Sequence, residues 1–258
     1  MKESIQIQYN AATTRNGKWP SDADCAGFEA TCKDFMRKCN EVSYNVMRLF
    51  AIGLGLEDEE FFTKCHDIDK DDSMSTLRLL LYHDTFGKPA PEGHWRAGYY
   101  SLFLKFGVLQ LQMLICRAHT DFDVLTLLFQ RPGQSGLEIC PGRSAYTSFA
   151  HGDAWTPVHF ISTTTIVCNI GDMLMHLSSD RFKSTFHRVR APREGEMGPR
   201  YSIAWFNQPN KATRIEDKKG KYPTLTAEEF IAQGMRRNYE ALKGKGTTEY
   251  TASSADPK

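Results

Sequence analysis

The chain has 258 residues, of which 41% are hydrophobic and 24% charged, and its formal net charge is +1. That is the balance of a globular protein able to bury a core, and the charge gives no electrostatic case for nucleic acid or an anionic membrane. The longest apolar run, Leu102 to Ile115, is broken by Lys105, Gln110 and Gln112 and is too short and polar to span a bilayer.

Met1-Lys2-Glu3-Ser4 has no apolar signal core. The seven cysteines are scattered, without a CxxC pair, so neither a zinc site nor a disulfide framework is indicated. A reduced, cytoplasmic compartment is the expectation.

Residues 1–20 are polar and end in Trp19-Pro20. Ser21, with Asp24 three residues on, reads as the N-cap of a helix. Phe28, Cys32, Phe35, Cys39, Val42 and Val46 recur at steps of four and three, one apolar stripe that Gly53 and Gly55 close. Cys32 and Cys39 lie on that stripe as small core residues. Leu56 to Phe62 reads as a short helix with an acidic first turn.

Beyond residue 74 short strand-like runs take over: Leu77–Tyr82, Val124–Phe129, Leu137–Cys140, Trp155–Ile161, Thr164–Ile170 and Tyr201–Phe206. They are separated by Pro, Gly, Asp and Ser, and no βαβ alternation appears, so an antiparallel barrel or jelly roll is expected. Glu216–Tyr222 is a charged loop. Thr226-Ala227-Glu228-Glu229 opens a helix to about Leu242, and a polar, disordered tail follows from Gly244.

The chemistry concentrates at Ala118-His119-Thr120-Asp121. In an extended chain residues i and i+2 share a face, so His119 and Asp121 can aim at one point. His187 supplies a third donor 66 residues after Asp121 (187 − 121). Two histidines and one carboxylate with open positions describe the facial triad of non-haem Fe(II) oxygenases. Asp123 is either a partner for a ligating histidine or a solvated turn residue. Phe129, Trp205 and Phe206 line a pocket or, on the plainer reading, fill the core. His159 and His176 read as core-edge histidines; His66, His83, His94 and His151 fall in loops.

The stretches AHTDFDVLTLLFQ (118–130), GLEIC (136–140), NIGDML (169–174), FKSTFHRV (182–189) and PRYSIAWFNQP (199–209), with LGLEDEEFF (54–62) and NGKWP (16–20), resemble the Fe(II)/2-oxoglutarate-dependent dioxygenases. Their wording is similar to the isopenicillin N synthase-like branch of fungal specialised metabolism. The resemblance covers roughly residues 1–242. It implies a mainly β protein with flanking helices around a double-stranded β-helix (jelly-roll) core. It implies His119, Asp121 and His187 as iron ligands, and Arg200 and Ser202 as the clamp for the far carboxylate of 2-oxoglutarate. Tyr82 matches a family tyrosine of the same pocket, although the Asn found two residues earlier in many members is Leu80 here. Fe(II), 2-oxoglutarate and O2 would be required, with ascorbate as a reductant. A retained Asp121 points to hydroxylation, desaturation or rearrangement rather than halogenation.

The implied organisation is a helical lead-in over 1–74, an oxygenase core over 75–210 with an insert at 99–117, a loop and helix over 211–243, and the tail at 244–258. A monomer acting on a small organic metabolite is expected, without nucleic acid or membrane partners. Two features depart from the family. The strand and helix that normally precede the position of Lys2-Glu3-Ser4 are absent, which reads as truncation. The stretch Tyr99–Arg117 has no family counterpart and reads as either a retained intron or a lid helix. The competing functions are an oxidase that needs no 2-oxoglutarate, and an inactive truncated or mis-spliced family member.

Overall fold

The structure, a computed structural model, describes residues 2–9, 19–83, 101–105, 108–112, 118–140, 155–189 and 198–243. In chain order the elements are β1 (Lys2–Gln8), α1 (Phe28–Leu54), a 3-10 turn (Thr63–Cys65), β2 (Thr76–Tyr82), β3 (Ser101–Lys105), β4 (Val108–Gln112), β5 (Leu125–Gln130), β6 (Leu137–Ile139), β7 (Thr156–Pro157), β8 (Val167–Ile170), α2 (Asp172–Leu177), β9 (His187–Val189), β10 (Arg200–Asn207), β11 (Arg214–Ile215), β12 (Leu225–Thr226) and α3 (Ala227–Lys243). Among the described residues no helix is long and apolar enough to cross a membrane.

Two antiparallel sheets form the layers of the jelly roll. The larger runs β1-β2-β10-β5-β8 and the smaller β7-β6-β9. Residues directly opposite in an antiparallel pair share a face. The register sets Arg200 against Tyr82 and Ser202 against Leu80, Ser202 against Gln130 and Phe206 against Thr126, and Thr126 against Asn169. One face of the large sheet therefore carries Tyr82, Arg78, Thr126, Asn169, Arg200, Ser202 and Phe206. The other face carries Leu77, Leu125, Leu127 and Trp205, all buried in the main core. Helix α1 covers this second face: its Phe35 meets Phe129 at a centroid distance of 5.0 Å, and Asn207 Nδ2 donates to Ser43 Oγ at 2.6 Å.

Helix α1 begins later than expected. Ser21 closes a separate turn, its carbonyl accepting from the amides of Asp24 and Cys25, and the cap position is Gly27. Its end is as expected: Gly55 is left-handed (φ 71) and the Leu56 amide donates to Ala51 O, a 6→1 closure that a Cβ would strain. The buried stripe is Cys32, Met36, Cys39, Asn40, Ser43, Met47 and Ala51, while Val42 is 38% exposed. The two stripes share Cys32 and Cys39, but the buried face is centred one residue further on, at Met36, Asn40, Ser43 and Met47, which leaves Val42 outside it.

Leu56–Phe62 is a turn leading into Thr63–Cys65 rather than a helix. Its acids are engaged sideways instead, Glu60 with Arg48 at 2.5 Å and Asp58 with Lys64 at 2.7 Å. The polar start of the chain is a strand: all seven residues of β1 pair with β2 and form an edge of the large sheet. The expected lid helix at 99–117 is also absent from the described residues. Ser101–Lys105 and Val108–Gln112 pair as a hairpin, in keeping with the period-two alternation Leu109-Gln110-Leu111-Gln112. The expected strand Trp155–Ile161 shortens to Thr156–Pro157, and Thr164–Ile170 to Val167–Ile170. A hydroxyl-bonded turn at Ser162–Thr165 occupies the difference. The tail from 244 lies outside the described residues.

Helix α3 opens with a capping box. The Thr226 amide donates to Glu229 Oε2 at 2.8 Å and the Glu229 amide to Thr226 Oγ1 at 3.2 Å. Its Gly234 lies so close to the Phe122 ring that a Cβ there would sit 2.7 Å from the nearest ring carbon. A side-chain-free helix position thus presses on the loop between His119 and β5.

Candidate metal centre

His119 and His187 form an isolated antiparallel bridge. Each amide donates to the other's carbonyl, at 3.1 and 3.0 Å. The bridge adds residue 119 to the β9 edge of the small sheet and puts both imidazoles on one side, with ring centroids 4.4 Å apart. Asp121, two residues on, turns its Oδ1 to both: 3.8 Å from His119 Nε2 and 3.7 Å from His187 Nε2. The three donor atoms lie within 4.8 Å of one another.

The other oxygen of Asp121 is held by the large sheet. Oδ2 accepts from Thr126 Oγ1 at 2.7 Å and Asn169 Nδ2 at 2.8 Å. One carboxylate oxygen is thereby fixed and the other left beside two imidazole nitrogens. This donor set fits an octahedral Fe(II) bound through one face with open positions. Burial by itself would raise the Asp121 pKa; the two histidines, Asn169 and Thr126 hold it below the usual carboxylate value.

Behind the triad the loop is locked to the start of α2. The Asp172 amide donates to Asp121 O, the Met173 amide to Asp123 O and the Gly171 amide to Val124 O. A Cβ on Gly171 would come within 2.1 Å of Asp123 O, so only glycine admits this approach. Asp123 is fully buried and receives Thr126 Oγ1 at 2.8 Å, so it is not a solvated turn residue; it shares with Asp121 the hydroxyl that orients the carboxylate. Burial, then the neighbouring Asp121 charge, pushes its pKa well up. Burial likewise raises Asp172 to about 7.

Arg200 is 1% exposed. Its Nη1 donates to Ser202 Oγ at 3.1 Å, and its guanidinium carbon lies 5.2 Å from the Tyr82 ring centroid. The structure thus brings Arg200, Ser202 and Tyr82 together, on the same sheet face as the Thr126 and Asn169 that hold Asp121.

The remaining candidates separate clearly. Phe129 and Trp205 face α1 and are core, whereas Phe206 is on the inner face. His159 is exposed rather than at the core edge. His176 stacks on Tyr222 at 4.0 Å. His66 is buried, its Nδ1 2.6 Å from Phe62 O, and burial lowers its pKa to about 4. His83 pairs with Glu3 at 2.7 Å. His94 and His151 lie outside the described residues. Sequence reasoning missed Thr126, Asn169 and Gly171 as parts of the centre. A hydroxyl five residues after Asp121 was the readable signal; Asn169 enters only through strand register.

A sequence profile of the 2OG-Fe(II) oxygenase superfamily matches residues 71–209. The chain is 27% identical over 227 residues to the 2-oxoglutarate-Fe(II) type oxidoreductase ppzD of Metarhizium rileyi, covering 87% of this chain and 53% of that one. It is 31% identical over 218 residues to the proline hydroxylase buaE of Petromyces alliaceus, covering 83% of this chain and 58% of that one. Among solved structures it resembles a full-length Neurospora crassa protein crystallised in complex with alpha-KG, with a TM-score of 0.69 and 28% identity over 91% of this chain and 66% of that one. The chain spans somewhat over half the length of these curated relatives.

Proposed function

The chain belongs to the 2OG-Fe(II) oxygenase superfamily, and from that premise we propose that it is a non-haem Fe(II)- and 2-oxoglutarate-dependent dioxygenase acting on a small organic metabolite. The observation that carries this reading is the convergence of His119, Asp121 and His187 on one point, with Arg200 buried on the adjoining sheet face. When bound, iron supplies O2 activation coupled to oxidative decarboxylation of 2-oxoglutarate to succinate and CO2, and the oxidising equivalent is spent on a C–H bond of the substrate.

In this reading His119, Asp121 and His187 hold the iron. Thr126 and Asn169 fix Asp121 so that one oxygen faces the metal. Arg200 and Ser202 hold the far carboxylate of 2-oxoglutarate, a guanidinium being suited to a two-pronged, charge-assisted grip. Tyr82 flanks that grip. A buried arginine and serine on the sheet face that adjoins the metal site favour this reading over an oxidase that dispenses with 2-oxoglutarate.

The relatives favour a small substrate: buaE is named a proline hydroxylase, and the same full-length Neurospora crassa protein has also been crystallised with thymine. The fungal names among the relatives favour specialised metabolism, and the motif wording favours the isopenicillin N synthase-like branch. The same reading keeps an oxygenase core over 75–210, close to the matched span 71–209, and a cytoplasmic monomer. The test is succinate release from 2-oxoglutarate by the purified chain with Fe(II) and ascorbate. Iron-dependent succinate supports the proposal; oxygen uptake that ignores 2-oxoglutarate, or no iron binding at all, overturns it.

A further inference from the structure

Away from the inner sheet face the chain forms an open cleft of about 620 Å³. That volume lies in the range of about 300–1,000 Å³ usual for small-ligand sites. Its walls come from two loops, one before β2 (residues 61–72) and one after β10 (residues 210–218). None of the lining residues belongs to the metal centre or to the Arg200 cluster.

Asn210, only 7% exposed, stitches the two walls together. Its amide donates to Cys65 O at 2.7 Å, and its Nδ2 to Asp67 O at 3.0 Å and Asp72 Oδ1 at 2.9 Å. Its Oδ1 accepts from the Asp67 amide at 2.9 Å. The Lys211 amide adds a bond to Asp72 O at 3.0 Å. The cleft is thus pre-formed, and a ligand entering it has little backbone to order.

The charge inside is unbalanced. Lys64, Lys70, Arg214 and Lys218 face Asp72 and Glu216, a surplus of two positive charges (4 − 2). Asp72 is engaged by Asn210. Glu216 stands 3.7 Å from Arg214, Asp58 2.7 Å from Lys64 and Asp67 3.9 Å from Lys70. These three pairs are exposed to solvent, so each is worth little and yields readily to another anion. Among the described residues Lys218 has no carboxylate partner; its ammonium stands 5.7 Å from the Phe61 ring centroid. Phe61 itself is half-buried and gives the cleft an aromatic wall.

We infer that this cleft is a second ligand site, for a small aromatic anion that carries a phosphate, a nucleoside monophosphate being the simplest form. The ring packs on Phe61, and the phosphate is met by Lys218 and Arg214. A phosphate ester carries close to two negative charges near neutral pH, which matches the surplus. The inference stands apart from the proposed function, since it uses no residue of the metal centre. The plain alternative is a rim of solvated cations that holds nothing.

AMP is the probe, titrated calorimetrically into the full chain with EDTA present, so that no metal at His119, Asp121 and His187 draws the phosphate. Adenosine and inorganic phosphate are the controls, and the wild type should bind AMP at least tenfold more tightly than either. Lys218→Gln should weaken AMP about fivefold, the upper end for one exposed charge pair. Lys218→Gln combined with Arg214→Gln should weaken it about twenty-five-fold. Both side chains are exposed, so the melting temperature should not move. Phe61→Leu should weaken AMP and leave inorganic phosphate as it was. Wild-type AMP binding no tighter than that of adenosine, or equal AMP affinity in the wild type and the double variant, overturns the inference. So does AMP bound no more tightly than inorganic phosphate. Arg200→Leu checks the inner face: AMP binding lost there and kept in the double variant places the anion beside Arg200 and overturns the inference as well.

Discussion

On the outer face of the five-stranded sheet, Leu125, Leu127 and Trp205 are wholly buried under α1. At alternate positions of the same strands, Thr126, Arg200 and Ser202 turn polar groups inward, and all three are buried as well. Both faces exclude water, but only the outer one gains by packing apolar surface. The inner groups must be matched by hydrogen bonds and charges. Because successive residues alternate faces, a strand can carry stability on its odd positions and chemistry on its even ones. The faces should therefore fail in different assays.

The largest expected effect is at the point the inner face supports. Asp121→Ala removes the donor shared by both histidines, so iron binding and succinate formation should fall below detection while the chain still melts cooperatively. Turnover near the wild-type rate would break the assignment. Arg200→Leu comes next: removing one member of a buried charged pair costs roughly 3–5 kcal/mol, or about two to four decades in 2-oxoglutarate affinity. Iron binding, measured by metal titration, should be untouched, and retained 2-oxoglutarate affinity would place the carboxylate elsewhere.

The outer face should behave in the opposite way. Leu127→Ala deletes buried methyl groups and should lower unfolding free energy by about 2–5 kcal/mol, read by urea denaturation. Iron affinity per folded molecule should stay as it was; a parallel fall in both would show the faces to be coupled. The smallest of the four changes is Asn169→Ala, which frees one of the two hydrogen bonds to Asp121 Oδ2. Losing a partner that orients a metal ligand costs about 10–100-fold in metal affinity, and Asn169→Asp should not restore it, because a second carboxylate cannot donate. An unchanged iron affinity would mean that Thr126 alone orients the ligand.

The alternation that separates the faces was readable beforehand. Leu77–Tyr82, Val124–Phe129 and Tyr201–Phe206 coincide with β2, β5 and β10 to within one or two residues. The motif strings named His119, Asp121, His187, Arg200 and Ser202, the family resemblance added Tyr82, and the structure gathers the first three and the last three into two clusters. What was not legible has physical reasons. Strand β1 shows only Ile5 and Ile7 on its covered side, and an edge strand needs no more. Asn169 is 48 residues from Asp121, and nothing local in its sequence announces the contact; the β5–β8 register creates it. Asp123 looked solvated because a carboxylate in a loop usually is. Its burial follows from Gly171, whose missing side chain lets α2 close over the loop.

Asp121 also belongs to both layers of the roll at once, since one of its oxygens is gripped by the large sheet and the other turns toward a histidine rooted in the small one. A cation seated there would act as a clasp between the layers. Its binding free energy would appear as resistance to prising them apart, growing with the logarithm of free metal above its dissociation constant. Chelation should accordingly lower the melting temperature of the wild type and leave that of Asp121→Ala where it was.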